Sequence, residues 1–129
     1  MHRTFLIIAS ISTALSVALG AFGAHTLKRF VTPELLNTFE TGVRYQFYHS
    51  FGLFLVAILY EKLSPKFTVY AGNSFIVGII LFSGSLYLLT LLNSTENVGV
   101  RKLGIATPFG GLFFILGWIF ICWAAIKKS

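Results

Sequence analysis

The sequence has no aspartate, one cysteine, three prolines and only 11% charged residues. Soluble domains carry about 25%. With 56% of its 129 residues apolar, a chain this small cannot screen its apolar surface with polar side chains. Water is therefore excluded as the main solvent, and lipid remains. Without aspartate, acid chemistry rests on Glu34, Glu40, Glu61 and Glu96, which lie between or at the ends of the apolar runs. An intramembrane aspartyl protease is thus excluded. The lone Cys122 cannot form an internal disulfide. It sits inside the last apolar run with no cation nearby to stabilise a thiolate, and reads as a small buried apolar residue. There is no Gly-x-Ser-x-Gly elbow and no zinc-protease motif. The Ser83-Gly84-Ser85 triplet has no base fixed beside it. Histidines without acidic or thiol companions make an incomplete metal set. No catalytic residue, metal or cofactor is expected, and the chain reads as a non-enzyme.

The net charge of +6 does not mark a nucleic-acid binder. The lysines and arginines form short clusters between long uncharged runs, as juxtamembrane charge does near anionic headgroups. The expected partner is the lipid bilayer, with no nucleic acid.

Four uncharged runs stand out: Phe5–Ala24, Tyr45–Tyr60, Phe67–Thr95 and Leu103–Ile126, of 20, 16, 29 and 24 residues. A hydrocarbon core of about 30 Å takes about 20 helical residues. The second run is short but suffices if its helix starts near Thr41 and Arg44 snorkels outward. Arg3 before the first run and the small residues Gly20 to Ala24 after it resemble a leader; a retained membrane helix is expected. The expected fold is all-α: residues 1–129 form one integral membrane domain, a bundle of four spans near 4–25, 42–61, 68–92 and 104–126.

Between the first two spans, Thr32 can cap a helix, Pro33 suits its first turn and Glu34 its positive end. Leu35, Leu36, Phe39 and Val43 recur at helical spacing. This pattern predicts a short amphipathic interfacial helix, able to run into the second span with Gly42 as the joint. Glu40 and Arg44 are spaced to pair. The connection Glu61–Lys66 is tight, Asn93–Lys102 is longer and polar, and the last span is expected to start at Pro108 with Thr107 as its cap. Four spans put both termini on one side, with Arg3, Lys62, Lys66, Lys127 and Lys128. The other side has Lys28, Arg29, Arg44, Arg101 and Lys102, a tie under the positive-inside rule. The N-terminal amine and an expected partial burial of Arg44 tip the reading toward cytoplasmic termini.

Two sets of residues invite a role. Ser16, Gly20 and Ala24 on the first span, Ser74 and Gly78 on the third, and Gly110 and Gly117 on the fourth are small residues at helical spacing. In lipid they allow close helix packing. At the entrance to the second span, Gln46 and His49 lie one turn apart beside Tyr45. Polar groups at that depth need partners. The expected cluster joins them to His25 at the same membrane face and to hydroxyls of Ser83, Ser85 or Thr107. Such a cluster either fixes the register of the bundle or forms a site: a proton relay, a metal or quinone pocket, or haem ligation.

Several motifs run in order along the chain. They are Gly20-Ala21-Phe22-Gly23-Ala24-His25, Thr41-Gly42 with Tyr45-Gln46 and His49, Phe82-Ser83-Gly84-Ser85-Leu86-Tyr87, and Thr107-Pro108-Phe109-Gly110-Gly111 with Gly117-Trp118. Together they resemble the YgdD/YwdK family of small bacterial inner-membrane proteins, a domain of unknown function related to the eukaryotic transmembrane protein 256. The resemblance implies a multi-pass protein of the bacterial inner membrane and assigns no catalytic or binding residue.

Three functional classes follow. The first is a non-enzymatic helper, packing in a homo-oligomer or a larger membrane complex. The second is a transport component for an ion, proton or small solute, with His25, Gln46 and His49 along its path. The third is a cofactor- or metal-binding membrane protein using the same residues.

Overall fold

The structure, a computed structural model, describes residues 1–93 and 99–128, with side chains for 1–93 and 103–128. The described residues are helical apart from short turns. Most of the expected connection Asn93–Lys102, including Glu96, lies outside the described residues or their side chains.

Helix α1 runs Arg3–His25. The hydroxyls of Ser10, Thr13 and Ser16 would compete with the backbone if left free. Instead they bond back to the carbonyls of Leu6, Ala9 and Ser12, four residues earlier. A single 3-10 turn, Leu27–Arg29, follows.

Helix α2 runs Pro33–Leu59. Thr32 caps it as expected, its Oγ1 accepting from Leu35 N at 3.3 Å, with Pro33 opening the first turn. The separate interfacial helix near 33–43 is not found: those residues are the first turns of one unbroken helix, with no joint at Gly42. Its apolar stripe packs on the bundle. Phe39 is buried, with ring centres 6.1 Å from Phe22 and 5.0 Å from Tyr87. The expected Glu40–Arg44 pair does not form. Arg44 is exposed and donates to Thr41 Oγ1 at 3.1 Å, so its burial gives no argument about orientation.

The third rod, Pro65–Leu92, has three parts: α3 (Pro65–Gly78), a π-helical turn (Ile79–Ser83) and α4 (Gly84–Leu92). No motif in the sequence marks the π turn. Helix α5 runs Gly99–Ile126 with Pro108 inside it, so the expected start at Pro108 is corrected. Proline removes only one donor, whereas ending the helix in lipid would leave several backbone groups unpaired. Thr107 is no cap; its hydroxyl meets Ser85 Oγ at 2.6 Å.

Among the described residues, three helical segments are long and apolar enough to cross a membrane: Arg3–Arg29, Pro65–Leu92 and Leu103–Ile126. Arg44, Gln46 and His49 make the middle of α2 more polar. Helix α1 packs mainly on α2, and the third rod packs on both α2 and α5. The core collects Phe5, Ala9, Leu53, Val56, Ala57, Ala71, Phe75 and Phe114. Large apolar residues such as Ile7, Ile11, Ile80, Ile115 and Ile119 point outward, the distribution expected when the solvent is lipid rather than water. Cys122, expected to be buried, is on this outer surface.

The start of the chain, the α2–α3 turn and the end of α5 meet at one end of the bundle. His2 N donates to Ala57 O at 2.9 Å, and Ser64 N donates to Ala124 O at 3.2 Å. The Met1 ammonium pairs with Glu61. Its hydrogen bond and charge hold that exposed carboxyl below the usual carboxylate range.

Candidate functional site

The expected cluster of His25, Gln46 and His49 separates into three places. His25 ends α1 on the surface, with no hydrogen bond or ring contact to the other two. Gln46 turns toward α1 and α4, and His49 turns toward α5.

Gln46 is 5% exposed and ties three helices together. Its Nε2 donates to the carbonyl of Ser12 at 3.1 Å and to the Ser12 hydroxyl at 3.3 Å. Its Oε1 accepts from the Tyr87 hydroxyl at 2.6 Å. Ser50 Oγ sits 2.7 Å from both the Ser12 hydroxyl and the Gln46 carbonyl, and its one proton serves one of them at a time. Both ends of the Gln46 amide are thus hydrogen-bonded. Among the described residues, every fully buried side-chain nitrogen or oxygen has a partner. Two further bonds continue the pattern. Ser83 donates to the Gly42 carbonyl at 2.6 Å, and Ser85 meets Thr107. The expected hydroxyls are therefore engaged, but with partners other than the histidines.

His49 is also 5% exposed. Its Nδ1 lies 2.7 Å from the carbonyl of Tyr45. A carbonyl only accepts, so Nδ1 carries the proton. The ring lies flat on Phe114, with centres 3.5 Å apart and planes 7° apart, and near Phe75 and Trp118. Tyr45 lies nearby, its ring tilted against Phe82 with centres 4.7 Å apart. Among the described residues, no three of His, Cys, Asp and Glu come together.

The small residues divide as well. Gly110 and Gly78 lie where α5 meets the third rod. A methyl on Gly110 would strike the Phe82 backbone, and one on Gly78 would strike the Phe114 ring. Gly117 faces the Phe75 ring, and Ser74 bonds back to Tyr70 O at 2.8 Å. Ser16 is buried, but Ala24 is exposed. Gly23, which was not singled out, packs on Phe39 instead. At Gly20 an added Cβ would meet Val43 Cγ1 at an ordinary 3.6 Å. Gly20→Ala should therefore be mild, while Gly20→Leu, which must push into α2, should lower the unfolding midpoint in detergent. Equal, negligible effects would mean that the Gly20 face is open.

One polar residue escaped the sequence reading. Asn73 faces outward on α3, beside Tyr70, Phe113 and Phe120, and its amide has no hydrogen-bond partner among the described residues. An uncharged asparagine within an apolar run gives no periodic signal; only its outward direction marks it.

Comparison with known proteins places this geometry in a family. Residues 19–111 match the family described as "Protein of unknown function (DUF423)". The UPF0382 membrane protein YwdK of Bacillus subtilis is 44% identical over 126 residues, covering 97% of this chain and 98% of its own. A UPF0382 membrane protein of Haemophilus influenzae is 35% identical across 100% of this chain and 98% of its own. The UPF0382 inner membrane protein YgdD of Escherichia coli is 34% identical over 97% of this chain and 91% of its own. No solved structure matches. The chain belongs to the DUF423 family and is a membrane protein of that family.

Proposed function

We propose that the chain is a non-enzymatic assembly subunit of the bacterial inner membrane, a four-span bundle that packs against a second copy through the Asn73 face. The observation that carries this reading is the unpartnered amide of Asn73. It lies eight residues from Pro65, about 12 Å along the helix axis, well inside an apolar rod. A lipid-facing amide there lacks donors and acceptors, and interhelical hydrogen bonds are the usual remedy. An amide both donates and accepts, so two copies across a two-fold axis satisfy each other. The buried polar groups give no rival support to a transport path, because Gln46 is consumed by its neighbours and His25 lies apart.

The fourth span is supported by connectivity. Helix α1 and the third rod start at the same end of the bundle. A chain leaving α1 at its far end must return through α2 to reach Pro65. Both termini then share a side, and we assign that side to the cytoplasm. Reporter fusions at Arg3 and Lys128 should report the same compartment, and a fusion in the 28–30 segment the other; termini on opposite sides would sink the four-span reading.

Light scattering in mild detergent should give a protein mass of about twice the 14.3 kDa chain, and Asn73→Leu should reduce it to one chain. A wild-type monomer, or an assembly indifferent to Asn73→Leu, overturns the reading.

A further inference from the structure

We propose that the groove between α2, the π turn and α5 binds a membrane-dissolved molecule with a ring hydroxyl, of the phenol or quinol class, whose O–H donates to His49 Nε2. The inference goes beyond the assembly reading and does not rest on Asn73, which lies on a different face.

The groove is bordered by Tyr45, His49, Phe82, Gly111, Phe114 and Trp118 and encloses about 580 Å³. That falls within the range of about 300–1,000 Å³ for small-molecule sites. Its key atom is His49 Nε2. Nδ1 is committed to the Tyr45 carbonyl, so in the neutral ring Nε2 is a bare acceptor. No carboxylate among the described residues faces the ring, and its neighbours are aromatic. Nε2 has no hydrogen-bond partner among the described residues. Every fully enclosed side-chain nitrogen or oxygen among them has one, so Nε2 is not fully enclosed. The space it borders is this groove.

A strong acceptor facing lipid selects a donor, and acyl chains supply none. Two groups on the same groove are donors without partners among the described residues: the Tyr45 hydroxyl and the Trp118 indole N–H. The lining thus offers one acceptor and two donors, which suits a guest that both donates and accepts, as a hydroxyl on an oxygenated ring does. The walls favour a flat guest. Tyr45, Phe82 and Trp118 present rings, and aromatic pairs gain energy beyond the area they bury. Gly111 leaves the floor low: a Cβ there would only touch the Phe82 ring at 3.9 Å.

The test uses the two tryptophans. Trp123→Phe, which keeps a ring against Phe67, leaves Trp118 as the only reporter. The protein is placed in dioleoylphosphatidylcholine vesicles and titrated with 4-bromophenol, whose bromine quenches indole fluorescence. Its control is 4-bromoanisole, the same ring with the donor methylated. Saturable quenching by the phenol, with only linear quenching by the anisole, is expected. His49→Leu should weaken the phenol about tenfold, the value of one hydrogen bond. Gly111→Phe, which fills the groove and leaves His49 in place, should abolish saturation even if His49→Leu misfolds. Linear quenching by both compounds would overturn the site. Equal saturation by a brominated diacylglycerol would overturn the ring-hydroxyl class.

Discussion

Gly110→Ala is expected to destabilise the bundle by about 3 kcal/mol or more, at the upper end of overpacking costs. The reason is what the new methyl would meet. At Gly110 it would come 2.7 Å from Phe82 Cα and press on the Phe82 backbone nitrogen. A side chain can swing away from such a contact. A backbone inside a helix cannot move without moving its turn, and here the turn is the π segment Ile79–Ser83. Gly111→Ala, one residue on, finds only an ordinary 3.9 Å contact, and Gly84→Ala finds nothing within 4 Å. Both should stay within about 0.5 kcal/mol of the wild type. Reversible unfolding by sodium dodecyl sulfate in mixed micelles measures all three. If Gly110→Ala proves as mild as Gly111→Ala, α5 and the π turn are not in backbone contact.

Gln46→Leu should cost about 3 kcal/mol. Interhelical bonds in membranes average about 0.6 kcal/mol each, and Gln46 makes three with its side chain. To this is added the half-buried Tyr87 hydroxyl, left without its Gln46 acceptor, which costs about 1 kcal/mol. That second part makes the prediction specific. Tyr87→Phe alone should cost less than 1 kcal/mol. In the double variant no hydroxyl is orphaned, so the combined loss should fall short of additivity. Strict additivity in the same micelle titration would show that Tyr87 and Gln46 do not share a bond.

Much of this architecture was readable from residue order. The apolar runs located α1, α3 with α4, and α5, because lipid demands long stretches without charge. Thr32, Pro33 and Glu34 marked the start of α2 through local chemistry that needs no tertiary knowledge. The polar cluster was harder to read, and the geometry of a helix explains why. Gln46 and His49 are three residues apart, which leaves their side chains about 60° apart around the axis. On a lone helix that is one face. Between two neighbours it is enough to send Gln46 to Ser12 and His49 to Phe114. The stripe Ser16, Gly20, Ala24 failed in a related way. Steps of four drift by about 40° each, so Ala24 has rotated out to the surface. A step of seven from Ser16 nearly closes two turns, and Gly23 is the residue that stays inside. Pro108 misled because proline ends helices in water, where freed carbonyls find solvent.

The π turn also sets a counting rule for the third rod. A residue more or less in a regular helix turns everything beyond it by about 100°. The Ile79–Ser83 turn holds one residue beyond the α-helical count and absorbs it locally, so Ser85 and Tyr87 beyond it stay in line with α3. Deleting any one of these five residues would restore an ordinary helix and look harmless in a sequence. Ser85 and Tyr87 would still face Thr107 and Gln46, but the residues inside the turn would be redirected, and Phe82 would leave both the His49 groove and its contact with Gly110. In this segment, length carries as much information as residue identity.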